Sequence, residues 1–333
     1  MKSKLKYILS GGILILACYF FIFAILEKKD RDQDYRNLFY RSYRILFPEI
    51  PVNMDFAGEK VPLDIYYVRE SLEREIVANT YMHSSSIMMF KRAYRWFPQI
   101  EPILKKNNIP DDFKYLALAE SNLSNAVSPA GAEGFWQFIK PTGKKYGLEI
   151  TEEVDERYNV EKATQAACLY FQEAYEHYKN WTLVAASFNR GFDGVSNALE
   201  NQKVTNYYDL FLVDETARYI YRILAFKQIY NHPVKYGYYL REKDLYPQIP
   251  TYTLTIDSAI NDLPDFAIKM KVNYRVLREL NPWLKRYILP RNPNKVYSIK
   301  LPKEGSLRYD FLMHSMPESE MFFHDTLKIN QIY

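Results

Sequence analysis

The chain has 333 residues, which is enough for one large domain or two modest ones, and its formal net charge at pH 7 is only +4. No dense basic run is interleaved with aromatic residues, and this argues against nucleic-acid binding. The five His residues lack the spacing of metal ligands, so no metal site is expected. Aromatic residues make up 16% of the chain, and their faces either stack on sugars or bases or fill half-buried helix faces.

The N-terminal residues predict a membrane anchor. Residues 8–26 are uncharged and mostly apolar, and they are long enough to cross a bilayer. Three Lys residues precede them, so residues 1–7 are expected in the cytoplasm and the rest of the chain in the periplasm. Lipoprotein processing at Cys18 is the alternative, but further apolar residues follow that cysteine where a lipoprotein usually turns polar. We therefore favour an uncleaved inner-membrane signal anchor.

The stretch that follows is predicted to be a spacer between the membrane and a folded body. Residues 27–75 are charged and polar, and Pro and Gly residues interrupt any long helix there. From residue 76 to residue 245, apolar residues recur at spacings of three and four, which predicts a helical domain. Cys168 lies within this pattern and is interpreted as a packing residue, so no disulfide with Cys18 is expected.

The pattern changes after Pro247. A small unit of its own is predicted at 250–303, because a strand, two helices and a strand follow one another there. Residues 304–333 show little pattern and are predicted to form a loosely held tail. The predicted elements of the small unit are a strand at 252–256, helices at 265–270 and 274–280, and a strand at 296–301.

Glu120 is the candidate general acid. It lies near the end of an apolar helical run, and Phe113, Leu116 and Ala117 precede it by seven, four and three residues. Helical geometry places these four residues on one face. A carboxyl that shares a buried stripe is partly desolvated, which raises its pKa and keeps a proton available near neutral pH. By spacing alone, a Glu at the end of a helix is more often a solvated charge or a partner for a nearby Lys.

Four separated segments accompany this acid in a specific order. They are residues 119–121 (Ala-Glu-Ser), 128–138 (Ser-Pro-Ala-Gly-Ala-Glu-Gly-Phe-Trp-Gln-Phe) with its continuation to 147, 185–191 (Ala-Ala-Ser-Phe-Asn-Arg-Gly) and 215–223 (Glu-Thr-Ala-Arg-Tyr-Ile-Tyr-Arg-Ile). Together they closely resemble the soluble-lytic-transglycosylase family of peptidoglycan enzymes, most nearly its membrane-bound lytic murein transglycosylase D branch. The resemblance covers roughly residues 76–245 and implies a mainly α, lysozyme-like catalytic domain. Residues 250–303 resemble a LysM peptidoglycan-binding module, an α+β (βααβ) unit, with Ile256-Asp-Ser258 in place of the usual Gly-Asp-Thr.

The resemblance implies that Glu120 is the catalytic residue and that the residues around it bind glycan. Ser121 would hydrogen-bond substrate or orient the carboxyl, although a helix-terminal Ser also bonds its own backbone. Gly134 would let the chain pass close to a ligand or adopt a positive φ, and Gln137 offers an amide to a sugar acetamido group or to Glu120. The implied substrate-binding residues are Ser121, Gly134, Trp136, Gln137, Phe188, Asn189 and Tyr219.

The remaining residues of this set carry their own alternatives. Trp136 would supply a stacking wall, or it would be a core residue as aromatics at helical spacing often are. Asn189 would point an amide into the groove rather than cap a helix, and Tyr219 would donate its phenol to Glu120. The family usually has Ala-Tyr-Asn where this chain has Ser187-Phe188-Asn189. The hydroxyl of that Tyr is therefore absent, and Ser187 could compensate for it.

Most glycosidases use two carboxylates, whereas these segments offer one convincing acid. Glu133 is expected in a solvated loop and Glu215 at a helix start, where a carboxylate stabilises the helix dipole. The resemblance implies that Glu120 protonates the glycosidic oxygen between N-acetylmuramic acid and N-acetylglucosamine, while the acetamido group of the substrate stabilises C1. Glu120 would then take the proton of the C6 hydroxyl and leave a 1,6-anhydromuramoyl end.

The implied reaction needs neither a metal nor an organic cofactor, and its expected partner is the peptidoglycan glycan strand; no protein partner is identified. Two other functions stay open. A muramidase on the same fold would let water attack instead of the C6 hydroxyl. The second open function is that of a catalytically impaired, membrane-tethered protein that binds or assembles the cell wall. Phe188 and the changed LysM turn favour it, whereas Glu120 and Asn189 argue against it.

Overall fold

The computed structural model describes residues 47–314 without a gap, together with residues 33, 36, 37, 39, 40 and 316. The predicted anchor at 8–26 and the alternative processing site at Cys18 lie outside the described residues. Within the described part of the chain, no helix is both long and apolar enough to cross a bilayer.

The body is mainly helical, which confirms the predicted fold class. Strands in the described residues form two small antiparallel sheets, one early and one late in the sequence. In chain order the elements are β1 (Asp55–Phe56), β2 (Glu59–Lys60), α1 (Tyr66–Tyr81), α2 (His83–Lys106), α3 (Lys114–Ser121), α4 (Lys140–Lys145), α5 (Val160–Tyr178), α6 (Trp181–Arg190), α7 (Phe192–Gln202), α8 (Asp214–Asn231), β3 (Thr251–Ile256), α9 (Leu263–Lys269), α10 (Tyr274–Leu280), β4 (Tyr297–Pro302) and α11 (Tyr309–His314).

Helix α3 is the buried centre of the helical domain. Residues 115–118 are each at most 2% exposed, so the helix is enclosed on all sides. It continues directly from a 3-10 turn at Asp111–Phe113, and α2 and α8 pack against it. Glu120 lies in the last turn of this helix and keeps some accessible surface.

The predicted spacer at 27–75 is corrected from Pro48 onward, where the structure describes it continuously. Phe56 is fully buried and lies in the same hydrophobic core as α3. The Pro and Gly residues that interrupt this stretch all precede α1 and leave the helix intact, and Gly58 lies in the turn between β1 and β2. Helix α1 adds three fully buried residues spaced four apart, namely Val68, Leu72 and Ile76.

A carboxylate from the same stretch caps helix α6. Glu59 accepts hydrogen bonds from the backbone nitrogens of Trp181 (2.6 Å) and Thr182 (2.9 Å) and from Thr182 Oγ1 (2.7 Å). An anion is stabilised at the positive end of a helix dipole. The contact therefore fixes α6, which carries Phe188 and Asn189, against residues that the sequence assigned to a spacer.

The C-terminal module, residues 251–302, confirms the predicted order of strand, helix, helix and strand. β3 and β4 pair antiparallel with Thr251 opposite Pro302. The module has a hydrophobic core of its own, in which Leu263, Leu277 and Ile299 are fully buried. The observed elements begin and end within two residues of their predicted bounds.

The C-terminal module packs directly on the helical domain. Its hydrophobic core includes Val154 and Tyr158, which belong to the segment before α5. The backbone nitrogen of Asp155 donates to the carbonyl of Trp283 in the module, at 2.8 Å. The two parts of the chain therefore share a core and a backbone hydrogen bond.

The tail at 304–333 was predicted to be loosely held, and its described part is folded. α11 lies within it, and Met316 packs against the core of the helical domain. The other residues from 315 onward lie outside the described part.

Candidate active site

Glu120 and Tyr219 form the centre of the site. Glu120 lies in the last turn of α3 and keeps some accessible surface, whereas Tyr219 on α8 is only 3% exposed. The Tyr219 hydroxyl donates a hydrogen bond to Glu120 Oε1. Asn122 and Leu123 both take positive φ directly after α3, at 49° and 50°, so the chain turns away and leaves the carboxyl at the helix end. The predicted contact between Tyr219 and Glu120 is therefore present.

The surroundings of Glu120 bring the pKa of its carboxyl close to neutral pH. Burial raises the pKa of the carboxyl from an ordinary value of 4.5 to about 7. The hydrogen bond from Tyr219 and the positive charge of Arg222 act in the opposite direction, because both stabilise the carboxylate, while the negative charge of Glu215 raises the pKa further. The carboxyl can therefore give up a proton and take one back near neutral pH.

The buried acid Glu75 forms ion pairs with two arginines of α8. Glu75 on α1 is 1% exposed, and its carboxylate lies 2.6 Å from Arg218 Nε and 3.8 Å from Arg222 Nε. These arginines flank Tyr219 on α8, so the pairs fix the helix face that carries the phenol. The sequence analysis missed Glu75, although its place beside Ile76 in the apolar stripe of α1 was a signal for a buried, paired acid.

The active-site loop, residues 122–139, closes against the end of α3. Ser121 is 9% exposed, and its Oγ donates to the carbonyl of Phe135 at 2.8 Å. Gln137 adopts a positive φ of 49°, and its Nε2 donates to the carbonyls of Ala126 (3.0 Å) and Gly134 (2.8 Å). Both side chains thus hold the loop itself. Of these two side chains, Gln137 keeps its Oε1 acceptor for a ligand.

Two predicted substrate-binding residues are corrected by their burial. Trp136 is fully buried, and its Nε1 donates to Thr164 Oγ1 at 2.9 Å, so the ring belongs to the core and offers no stacking wall. Gly134 is buried at a φ of +80°, and a Cβ there would lie 2.1 Å from the carbonyl oxygen of Arg157. The glycine is thus required by packing between two loops of the protein rather than by a ligand.

The predicted residues on α6 lie at its C-terminal end. Asn189 is partly exposed, just before Gly191 ends the helix at a φ of 79°, and no hydrogen bond joins its amide to another described residue. The ring of Phe188 is half-buried among four aromatic rings. Ser187 is fully buried and its Oγ donates to Val184 O at 2.8 Å, so this hydroxyl does not replace that of the family Tyr.

The rival acids are placed differently from Glu120. Glu133 is ion-paired with Arg157, at 3.0 Å between Oε1 and Nη2, rather than solvated as expected. Glu215 is exposed in the first turn of α8, as its position in the sequence predicted. Glu120 is thus the candidate acid that combines a partly exposed position at a helix end with a pKa near 7.

Comparison with known proteins gives two domain matches and two curated relatives. Residues 98–211 match the family described as Transglycosylase SLT domain, and residues 252–305 match the Soluble lytic transglycosylase C-terminal LysM-like domain. Membrane-bound lytic murein transglycosylase D of Escherichia coli (strain K12) is 31% identical over 198 residues, which cover 57% of this chain and 43% of the relative. The protein of the same name from Escherichia coli O6:H1 (strain CFT073) gives the same values.

The chain thus spans less than half the length of the curated relatives it matches. Glu120 lies inside the SLT match, whereas Glu75 and Tyr219 lie outside it. The resemblance seen in the motif segments is confirmed: the chain contains a transglycosylase SLT domain followed by the C-terminal LysM-like domain of soluble lytic transglycosylases.

Proposed function

We propose that this protein is a peptidoglycan lytic transglycosylase, a lyase that cleaves the β-1,4 bond between N-acetylmuramic acid and N-acetylglucosamine. The observation that carries the proposal is the pairing of Glu120 with Tyr219 in a setting that raises the pKa of the carboxyl to about 7. The SLT domain match and the names of the curated relatives support the same substrate class.

The proposed reaction uses one carboxyl twice. Protonated Glu120 gives its proton to the glycosidic oxygen as the bond to C1 breaks, and the 2-acetamido group of the substrate stabilises the positive charge. The Glu120 carboxylate, stabilised by Tyr219 and Arg222, then takes the proton of the C6 hydroxyl, whose oxygen closes onto C1. Water is not consumed, and the carboxyl ends the cycle protonated as it began.

The surroundings of Glu120 suit both halves of this cycle. Burial raises the pKa so that a large fraction of the acid is protonated near neutral pH, while the phenol and the guanidinium limit the cost of the carboxylate that forms after the first step. Asn189 and Gln137 Oε1 are the polar groups that we assign to the acetamido and hydroxyl groups of the glycan. Phe188 would bound the groove through the exposed part of its ring.

Product analysis of digested peptidoglycan tests the proposal. Purified full-length protein should release muropeptides whose muramoyl ends are lighter by one water than hydrolysed ends, and Glu120→Gln should release none. Glu215→Gln is the control acid: its exposed carboxylate transfers no proton in the cycle, so the variant should still release anhydro ends, with the pKa of Glu120 somewhat lowered by the loss of a nearby negative charge. Hydrolysed ends would establish a muramidase instead, and retention of protein on sacculi without cleavage would establish an impaired wall-binding protein.

We also propose that residues 8–26 anchor the protein in the inner membrane with its catalytic domain in the periplasm. The support is the uncharged apolar stretch itself, which has the length of a membrane-spanning helix, and the basic residues before it. Fatty-acid labelling distinguishes the alternatives, because a lipoprotein incorporates the label in a Cys18-dependent way that Cys18→Ala abolishes, whereas a signal anchor takes up no label at Cys18.

A further inference from the structure

We propose that Arg157 is a positioning residue that ties the C-terminal module to the active-site loop, so that the module is a structural part of the catalytic site. This inference rests on the proposed function for its kinetic arm only. It concerns the segment of residues 149–158, which runs between the loop on one side and the module on the other.

Arg157 contacts the second half of the active-site loop at its beginning, near Gly131, and at its end, near Phe138. The side chain is 5% exposed, and Nη1 donates to the carbonyls of Gly131 (3.1 Å) and Phe138 (3.2 Å). Nη2 lies 3.0 Å from Glu133 Oε1 within the same stretch. The Arg157 carbonyl oxygen also lies against Gly134, where any Cβ would meet it at 2.1 Å. One buried residue therefore contacts the loop at four places.

The stretch that Arg157 holds leads directly to the catalytic turn. Phe135, between the two clamped carbonyls, accepts a hydrogen bond from Ser121 Oγ at 2.8 Å. Ser121 adjoins Glu120, and Gln137 lies in the same stretch. A shift of the loop would therefore change both the last turn of α3 and the Gln137 acceptor.

The residues on either side of Arg157 are fixed by the C-terminal module. Val154 is fully buried and Tyr158 is 7% exposed, and both lie in the hydrophobic core of the module with Leu284. The backbone nitrogen of Lys285 donates to Glu153 O at 2.7 Å. Arg157 thus lies in a short segment whose two flanks are part of the module's core.

Asp155 links Arg157 to the C-terminal module through an ion pair and a backbone hydrogen bond. Its carboxylate, in a residue 4% exposed, lies 2.7 Å from Arg157 Nη2 and 3.0 Å from Arg157 Nε, while its backbone nitrogen donates to Trp283 O of the module at 2.8 Å. A guanidinium has the planar fork of donors needed to serve a carboxylate and two carbonyls together, and an ammonium does not. Arg157→Lys therefore keeps the buried positive charge beside Asp155 but gives up the clamp.

The test compares full-length wild type with Arg157→Lys by hydrogen–deuterium exchange and by the rate of peptidoglycan cleavage. The diagnostic amides are those of Glu133, Gly134 and Gln137, which are hydrogen-bonded within the loop. Relative to wild type, we expect Arg157→Lys to speed exchange at these amides more than it speeds exchange in α3. We also expect kcat to fall by about 10- to 100-fold at a nearly unchanged KM. A merely structural role would instead lower Tm and speed exchange throughout the domain.

Arg241→Lys is the matched control. Arg241 forms a similar forked pair with Asp244, at 2.9 Å from Nε to Oδ2 and 2.9 Å from Nη2 to Oδ1, and neither residue belongs to the active-site loop. It should leave loop exchange and kcat at wild-type values. Wild-type loop exchange in Arg157→Lys would overturn the inference, whereas a wild type that cleaves nothing would overturn only the proposed function.

Leu284→Ala tests the link to the module. This fully buried side chain belongs to the module and is remote from the active-site loop in sequence. The inference predicts that its truncation also speeds exchange at Gly134 and Gln137. Faster exchange confined to the module, for example at the amide of Leu289 that bonds Ile260 O, would show that the two parts are uncoupled and would refute it.

Discussion

Tyr219→Phe tests how the protein sets the proton affinity of Glu120. The Tyr219 hydroxyl donates to the carboxylate and so lowers a pKa that burial raises to about 7. Without the hydroxyl, the carboxylate loses a stabilising partner while its burial remains. The pKa of Glu120 must therefore rise in the variant.

The size of the rise follows from the strength of the bond. A hydrogen bond to a charged group contributes about 1.5 to 3 kcal/mol, and one pKa unit corresponds to about 1.4 kcal/mol. We therefore expect the pKa of Glu120 to increase by about one to two. Because the acid must be protonated to cleave, the alkaline limb of kcat/KM should move to higher pH by the same amount.

The assay is the initial rate of peptidoglycan solubilisation measured across pH. Tyr115→Phe is the matched control, because the buried Tyr115 hydroxyl also joins α3 to α8, through Asn231 at 2.9 Å, without touching Glu120. It should leave the alkaline limb in place. An unchanged limb in Tyr219→Phe, or one at lower pH, would refute the assignment of that limb to Glu120.

Three further predictions use the same site and its supporting loop. Arg222→Gln removes a positive charge that lowers the pKa of Glu120, so its alkaline limb should also move to higher pH, and a downward move would contradict this. Glu120→Gln should abolish cleavage and flatten the pH dependence of stability. The carboxyl keeps its proton up to about pH 7 in the native protein but releases it near pH 4.5 in the unfolded chain, so the wild type loses up to about 3 kcal/mol of stability as pH rises through this window. Urea unfolding at both ends of the window measures the difference. Gly134→Ala should lower Tm far more than Gly131→Ala, because both glycines have positive φ but only the first has a backbone atom, the Arg157 carbonyl oxygen, in the way; equal Tm values would contradict the packing argument.

Local patterns in the sequence were sufficient for the helical character of residues 76–245 and for the position of the acid, but they missed the first ten residues of α1. The apolar spacing before Glu120 predicted a buried helix with a carboxyl at its end, and both are present. The strand, helix, helix and strand of the C-terminal module also followed from alternation and turn residues. These features depend on neighbours within one or two turns, which a sequence displays directly.

Contacts between distant residues were the part that local patterns could not supply. The resemblance implied that Trp136 and Gly134 bind substrate, but each is buried by a partner that lies later in the chain. Glu75 was placed in a spacer, yet its partner Arg218 lies on α8, 143 residues away. Nothing in the local sequence distinguishes a polar residue that serves a ligand from one that serves another part of the fold.

Cleavage of peptidoglycan in heavy-oxygen water is the most direct test of the central claim that Glu120 transfers a proton twice without water entering the product. The account predicts muramoyl ends that are lighter by one water and carry no heavy oxygen, and it predicts no product from Glu120→Gln. Ends that carry the label, or any anhydro product from Glu120→Gln, would contradict it.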